Sequence, residues 1–313
     1  MFALRGIAVS LAFFVLLYCL LSTLVAAAWR SLKWLRVTEQ NLATLLFSLR
    51  VLPLLASVVI TFAFVVPSFQ LLEPRSIDEG TGTLPLVLGV CALLLIASGC
   101  FRVIAAQTTT SRLVARWLEG ARPLPQGHTS QTLAFRARRQ APPLTLVGVR
   151  HPKVLVSEST VALLSPAELQ IALKHELAHM RSRDNLKKLV FRFCPFPGMA
   201  RLESAWSQAA ELAADDAAVA NLADAVDLAA ALLKLSRLVP VEVPPACTVG
   251  FVTGSISARV ARLLAWDKAG KTPSAQIQPW FVAPPILFAL SCLVATYVPA
   301  LALTHEVTEW LVR

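Results

Sequence analysis

The stretch from Ser165 to Asn185 reads SPAELQIALKHELAHMRSRDN, and it decides how the rest of the chain is understood. Ser165 and Glu168 are spaced as a capping box and Pro166 sits at the first helical position, so a helix is predicted to start here and run unbroken to about Arg192. Within it, His175, Glu176, Leu177, Ala178 and His179 form a His-Glu-x-x-His string. Residues four apart stack on one helix face, so both imidazoles can reach a single Zn²⁺ ion. Glu176, rotated by about 100° from His175, can meet a water at that ion.

A catalytic zinc site takes three protein ligands, so a third is sought elsewhere. Of the other histidines, His128 offers no context, His151 suits a hairpin turn, and His305 falls beyond the last apolar run. Glu211 is the stronger candidate. It lies on a helix predicted over Ala200 to Asn221, with Asp215 one turn further on the same face, where a carboxylate can accept the free ring N–H of a ligating histidine. The competing account makes the histidines packed core residues and Glu211 part of a solvated face. Asp216, Asp224 and Asp227 are assigned to solvated faces.

Around this stretch the chain is unlike a soluble globule. Its 313 residues are 56% hydrophobic and 15% charged, with a mean hydropathy of +0.63. Four uncharged runs approach the length needed to cross a bilayer: Ile7 to Ala28, Val51 to Phe69, Leu84 to Phe101 and Trp280 to Thr304. The first exceeds the apolar core of a signal peptide and is read as an uncleaved span. The fold class expected is a mainly α membrane protein. Residues 1–106 carry three transmembrane helices, residues 107–279 an α+β metallopeptidase-type domain, and residues 280–313 a fourth helix with a short tail.

Arg30, Lys33, Arg36 and Arg50 crowd the first connection against Glu39, whereas the second has Arg75 against Glu73, Asp78 and Glu79. The positive-inside rule therefore makes the first connection and the 107–279 segment cytoplasmic and both termini external. That segment holds 21 of the 29 basic and 13 of the 19 acidic residues. No nucleic-acid-binding motif accompanies the surplus, so contact with an anionic lipid surface explains it more simply. The six cysteines form no CxxC pair and are read as packing groups.

Within the segment, Leu144 to Arg150 and Val154 to Glu158 read as a hairpin, and one of its strands is expected to serve as an edge that binds an extended substrate. Further helices are predicted over Ala223 to Leu238 and Ser257 to Trp266.

His175 to His179 followed by Arg181, Arg183, Asp184 and Asn185, and preceded by Leu164, Ser165, Pro166, Glu168 and Leu169, resembles the BlaR/MecR-like integral-membrane metallopeptidases, bacterial antirepressors best known for sensing β-lactams. The resemblance covers about residues 1–305. It implies a gluzincin-type zinc site with His175, His179 and Glu211 as metal ligands, Glu176 as the catalytic residue and Asp215 as the acid supporting a ligand. Arg259 matches the family's later arginine near the site, although from its own surroundings it reads equally as an exposed helix residue. Antibiotic-sensing members continue after the fourth span into a penicillin-binding domain. This sequence stops at Arg313, so no such sensor is expected within it.

The function expected is a zinc-dependent endopeptidase cleaving a cytoplasmic protein, such as a transcriptional repressor; a homo-oligomer is compatible with this reading. Two alternatives stay open: an HtpX-like protease of membrane-protein quality control, and a non-catalytic signalling scaffold. A transporter is disfavoured because the four runs contain no charged residue or histidine.

Overall fold

The computed structural model describes residues 2–34, 37–73, 82–124, 134–137, 141–238, 249–250, 256–266 and 296–310. Among the described residues, three candidate membrane spans are long and apolar enough to cross a bilayer: Phe2–Ser31, Glu39–Leu72 and Thr83–Leu118. The first is helix α1 (Phe2–Ala28) with a 3₁₀ extension. The second is α2 (Glu39–Ile60), a π-helical turn (Thr61–Val65) and α3 (Val66–Leu72). The third is α4 (Thr83–Leu118).

The second and third helices outrun the apolar stretches that predicted them. Charge marks where hydrocarbon ends but does not end a helix, and residues 102–118 contain no glycine or proline. Similarly, α2 starts at the Thr38 cap and carries Arg50 in its interior. The π-helical turn precedes Pro67, which has no N–H to give the carbonyl of Ala63 one helical turn back. That carbonyl instead accepts from the Tyr297 hydroxyl at 3.0 Å, from a helix covering residues 296–310. Most of the predicted fourth span lies outside the described residues.

The remaining described elements wrap a five-stranded sheet, ordered β1-β2-β4-β3-β5. Its strands are β1 (Arg122–Pro123), β2 (Ala134–Ala137), β3 (Leu144–Val147), β4 (Lys153–Ser157) and β5 (Val249–Gly250). The predicted hairpin is β3 with β4, antiparallel with Leu144 opposite Val156. The expectation of a free strand edge needs correcting. β4 is interior, parallel to β2 on its other side, and β3 meets β5 at Thr145 and Leu146. The side chains of Val154, Leu155 and Val156 that predict a strand equally allow one buried on both flanks.

Around the sheet lie α5 (Glu158–Leu163), α6 (Pro166–Ser182), α7 (Asp184–Phe193), α8 (Ala200–Ala218), α9 (Leu222–Ser236) and α10 (Ile256–Leu264). The capping box at the start of α6 is complete: Ser165 Oγ accepts from Glu168 N–H at 3.2 Å, and Glu168 Oε2 accepts from Ser165 N–H at 2.8 Å. Lys234 Nζ, from α9, donates to the same Glu168 oxygen at 2.7 Å. Burial would raise the Glu168 pKa, but the lysine and the Ser165 N–H hold it below the usual carboxylate range.

The unbroken helix predicted to Arg192 is two helices. Arg183 adopts a left-handed conformation, φ 55° and ψ 40°, ending α6 and starting α7. No glycine or proline announces this break.

One core fills the space between sheet and helices, with Leu146, Val154 and Val156 against Ile171, Leu173 and Leu232. A second joins Trp29 and Leu46, of the membrane helices, to Phe191, Met199, Leu202 and Trp206. Packing therefore crosses the predicted boundary at residue 107. Arg50, 1% exposed, fastens this seam: Nε donates to Glu203 Oε1 at 2.8 Å, the guanidinium donates to the Cys194 carbonyl and lies 5.7 Å from the Phe191 ring centre. Arg50→Met leaves these acceptors unmatched. It is expected to destabilise the protein by about 2 kcal/mol, read as a lower unfolding midpoint in detergent, with Glu203→Gln costing less.

Candidate metal centre

Three helices meet at the end of β3. α6 contributes His175, Glu176 and His179, all buried. α8 contributes Glu211 and Asp215, one turn apart and buried on the same face. α10 contributes Arg259, 3% exposed, so the reading of Arg259 as an exposed helix residue is corrected. The spacing rule of four residues explains both pairs: each helix turns the two side chains toward the same neighbour.

The two imidazoles face each other through Nε2, 3.1 Å apart. Glu211 closes the triangle, its Oε2 lying 3.6 Å from His175 Nε2 and its Oε1 3.7 Å from His179 Nε2. Ligands on a tetrahedral zinc, bound at about 2.0–2.2 Å, stand roughly 3.3 Å from one another. The three separations bracket that value, so His175, His179 and Glu211 form a group that fits one metal ion.

Each imidazole is backed by a carboxylate on its other nitrogen. Asp215 Oδ1 is 3.0 Å from His175 Nδ1. Asp184 Oδ2 is 2.7 Å from His179 Nδ1. Carboxylates so placed fix the ring orientation and leave each Nε2 facing the centre of the triangle.

Arg259 ties the acidic side together. Nε and one terminal nitrogen donate to the two Asp215 oxygens at 2.8 and 2.6 Å, and the other donates to Glu211 Oε2 at 2.9 Å. Burial would raise the Asp215 pKa, but His175 and Arg259 draw it down to about 2. Burial would lower that of His175, yet Asp215 and Glu211 raise it to about 9. Glu176 is 0% exposed, and no side chain hydrogen-bonds either carboxylate oxygen. Burial raises its pKa to about 7, against the lowering effect of His179 and His175.

Asp184 is the supporting residue that sequence reasoning placed only within the resemblance. On an uninterrupted helix, five residues from His179, it would point about 140° away. The left-handed Arg183 reverses the chain and returns Asp184 to the imidazole. Its neighbour Asn185 donates from Nδ2 to the carbonyls of Leu146 at 3.1 Å and Gly148 at 3.0 Å, pinning the start of α7 to the end of β3. The signal was the pairing of an acid and an amide just past the histidine string; the turn that makes it useful was not legible.

The other described histidines stay apart from this centre. His151 is exposed. His305 lies near Glu73 and Glu309, at 3.8 and 3.5 Å, beside the ion pair of Arg5 with Glu73 at 3.0 Å. His128 lies outside the described residues.

The chain belongs to the BlaR1 peptidase M56 family, whose model matches residues 82–263. The match takes in α4, the sheet and all seven residues gathered at the centre, Asp184 included. Among curated proteins none matches the chain. Family membership makes this a metallopeptidase, and the three apolar helices make it a membrane protein.

Two measurements check the centre. Asp184→Asn keeps the shape but weakens the acceptor behind His179, and zinc affinity is expected to fall about 10- to 100-fold. Because the His175 proton is held up to a pKa of about 9, a metal must displace it at neutral pH. Zinc affinity is therefore expected to rise about ten-fold per pH unit between 6.5 and 8.5, as measured against a competing chelator of known pH dependence.

Proposed function

We propose that the protein is a zinc-dependent endopeptidase of a bacterial inner membrane that cleaves a cytoplasmic protein, with a transcriptional repressor as the substrate type the family resemblance favours. The observation that carries this reading is the buried triangle of His175, His179 and Glu211 beside the fully buried carboxylate of Glu176. His175, His179 and Glu211 would hold the ion. When bound, zinc supplies Lewis acidity toward the scissile carbonyl and lowers the pKa of water at the site.

The protein's own groups do the rest. Glu176, with a pKa near 7, takes the proton of the attacking water and delivers it to the leaving amine; a carboxyl so poised exchanges protons readily at neutral pH. Asp215 and Asp184 accept the Nδ1 protons of His175 and His179, keeping their Nε2 lone pairs directed inward. Arg259 neutralises Asp215 and Glu211 and fixes the distance between α8 and α10. The basic residues of the first connection and of the segment following α4 support a cytoplasmic placement of the site, with both termini outside.

Glu176→Gln preserves volume and removes the proton acceptor. It is expected to retain one zinc per chain while abolishing the new N-termini that the wild-type protein generates among cytoplasmic proteins, compared by mass spectrometry in matched cells. His175→Ala and Glu211→Ala are expected to lose zinc and cleavage together. Unchanged fragments in the Glu176→Gln cells would overturn the assignment, as would full function without metal, which belongs to a scaffold.

A further inference from the structure

A second group of metal-ligating side chains gathers at the far end of the membrane helices. Glu73, His305 and Glu309 each offer one ligand atom, and these atoms lie within 4.8 Å of one another. Glu73 Oε2 is 3.8 Å from His305 Nδ1, and Glu309 Oε1 is 3.5 Å from His305 Nε2. His305 and Glu309 are four apart on the helix covering residues 296–310, the spacing that also sets His175 and His179 on one face. Glu73 directly follows α3, and its side chain is 8% exposed. Arg5, whose Nη1 donates to Glu73 Oε1 at 3.0 Å, lies near the start of α1, whereas Trp29, which packs against the catalytic half, lies just past its end. From residue 5 to residue 29 the helix rises about 36 Å, more than the bilayer core of roughly 30 Å.

The arrangement is more than a meeting of polar residues. His305 Nδ1 is buried and has no hydrogen-bond partner, although the Glu73 carboxylate stands before it. A buried ring nitrogen is ordinarily matched by a donor, an acceptor or an ion, and an ion between it and Glu73 meets that need. Arg5 takes one oxygen of Glu73 and leaves the other turned toward His305. Arg259 likewise donates to one oxygen of Glu211 at the metal centre, and carboxylates that ligate metals are themselves held by such hydrogen bonds. The rings of Phe2 and Phe69, with centres 4.9 Å apart, keep the start of α1 beside α3. The separations exceed the roughly 3.3 Å between neighbouring ligands on zinc, so binding draws the group inward. Glu309, with its side chain 43% exposed, has room for that movement.

We propose that Glu73, His305 and Glu309 form a binding site for a divalent transition-metal ion, zinc above all, on the face of the membrane opposite the metal centre. The donor set decides the class of ion. One imidazole with two carboxylates suits zinc and its neighbours, whereas magnesium and calcium take oxygen ligands. With His305 neutral, the guanidinium of Arg5 offsets one of the two carboxylates and leaves one negative charge to meet the cation. An ion bound here ties the end of the second span to the helix covering residues 296–310. That helix already meets the same span at the Ala63 carbonyl, through Tyr297. The site shares no residue with the metal centre and does not depend on the peptidase assignment.

The test uses tag-free, full-length protein in nanodiscs of uncharged phospholipid, stripped of metal and titrated with zinc against a chelator. Two zinc ions per chain are expected, one for each group. His305→Ala is expected to weaken the second ion at least about ten-fold, the least that follows from losing a residue that only supports a ligand. Glu309→Gln does the same and decides alone if His305→Ala does not assemble. Both variants keep the ion at His175, His179 and Glu211. A single ion in the wild-type protein, unchanged by His305→Ala and lost with Glu211→Ala, would overturn the proposal. So would two ions of unchanged affinity in both variants, the mark of adventitious binding. A single ion lost with His305→Ala would support this site and overturn the metal centre instead. Full displacement of the second ion by an equal concentration of magnesium would overturn the assignment to a transition metal.

Discussion

Two imidazole nitrogens and a carboxylate are held within 3.7 Å of one another in a region closed to solvent. Lone pairs do not converge in a dry interior without a cation or protons to bind them, because their mutual repulsion is unscreened there. Everything around the centre answers this constraint. Asp184 and Asp215 turn the histidines inward, Arg259 offsets the resulting negative charge, and three helices and the end of a sheet keep the groups from relaxing apart. Glu176 is fully buried beside them, and no side chain hydrogen-bonds its carboxylate.

Much of this was legible in the sequence because it rests on local periodicity. The capping box, the spacing of His175 and His179, and that of Glu211 and Asp215 are one-helix rules, and α6 and α8 obey them. What could not be read is tertiary. Arg183 turns the chain without a glycine, so the role of Asp184 depended on a backbone angle that no local signal encodes. Burial of Arg259 depends on α10 packing beside α8, which spacing along the chain does not reveal. β4 looked like an edge because a strand's pattern describes its faces but not its neighbours.

The membrane helices show the same division. Apolar runs located three of them, yet charge composition placed their limits too early. Arg50 was counted as a connection residue that orients the chain; it is also a buried anchor between α2 and the segment from Cys194 to Glu203. Tyr18, deep in α1, donates to the Pro195 carbonyl at 3.2 Å from the other side. The short passage between α7 and α8 is thus gripped by two membrane helices at once, and it lies in the chain between His179 and Glu211 of the metal centre.

That grip has a consequence for how the molecule can be taken apart. Trp29, Ala43 and Leu46 cover the same apolar surface that Phe191, Met199 and Trp206 present from the catalytic half. Severing the polypeptide between the two halves would bare this greasy facet to water, and the liberated fragment would clump with its own kind instead of dispersing. The lipid-anchored portion is thus part of the enzyme's interior, and a diffusible version would need that surface rebuilt with polar side chains.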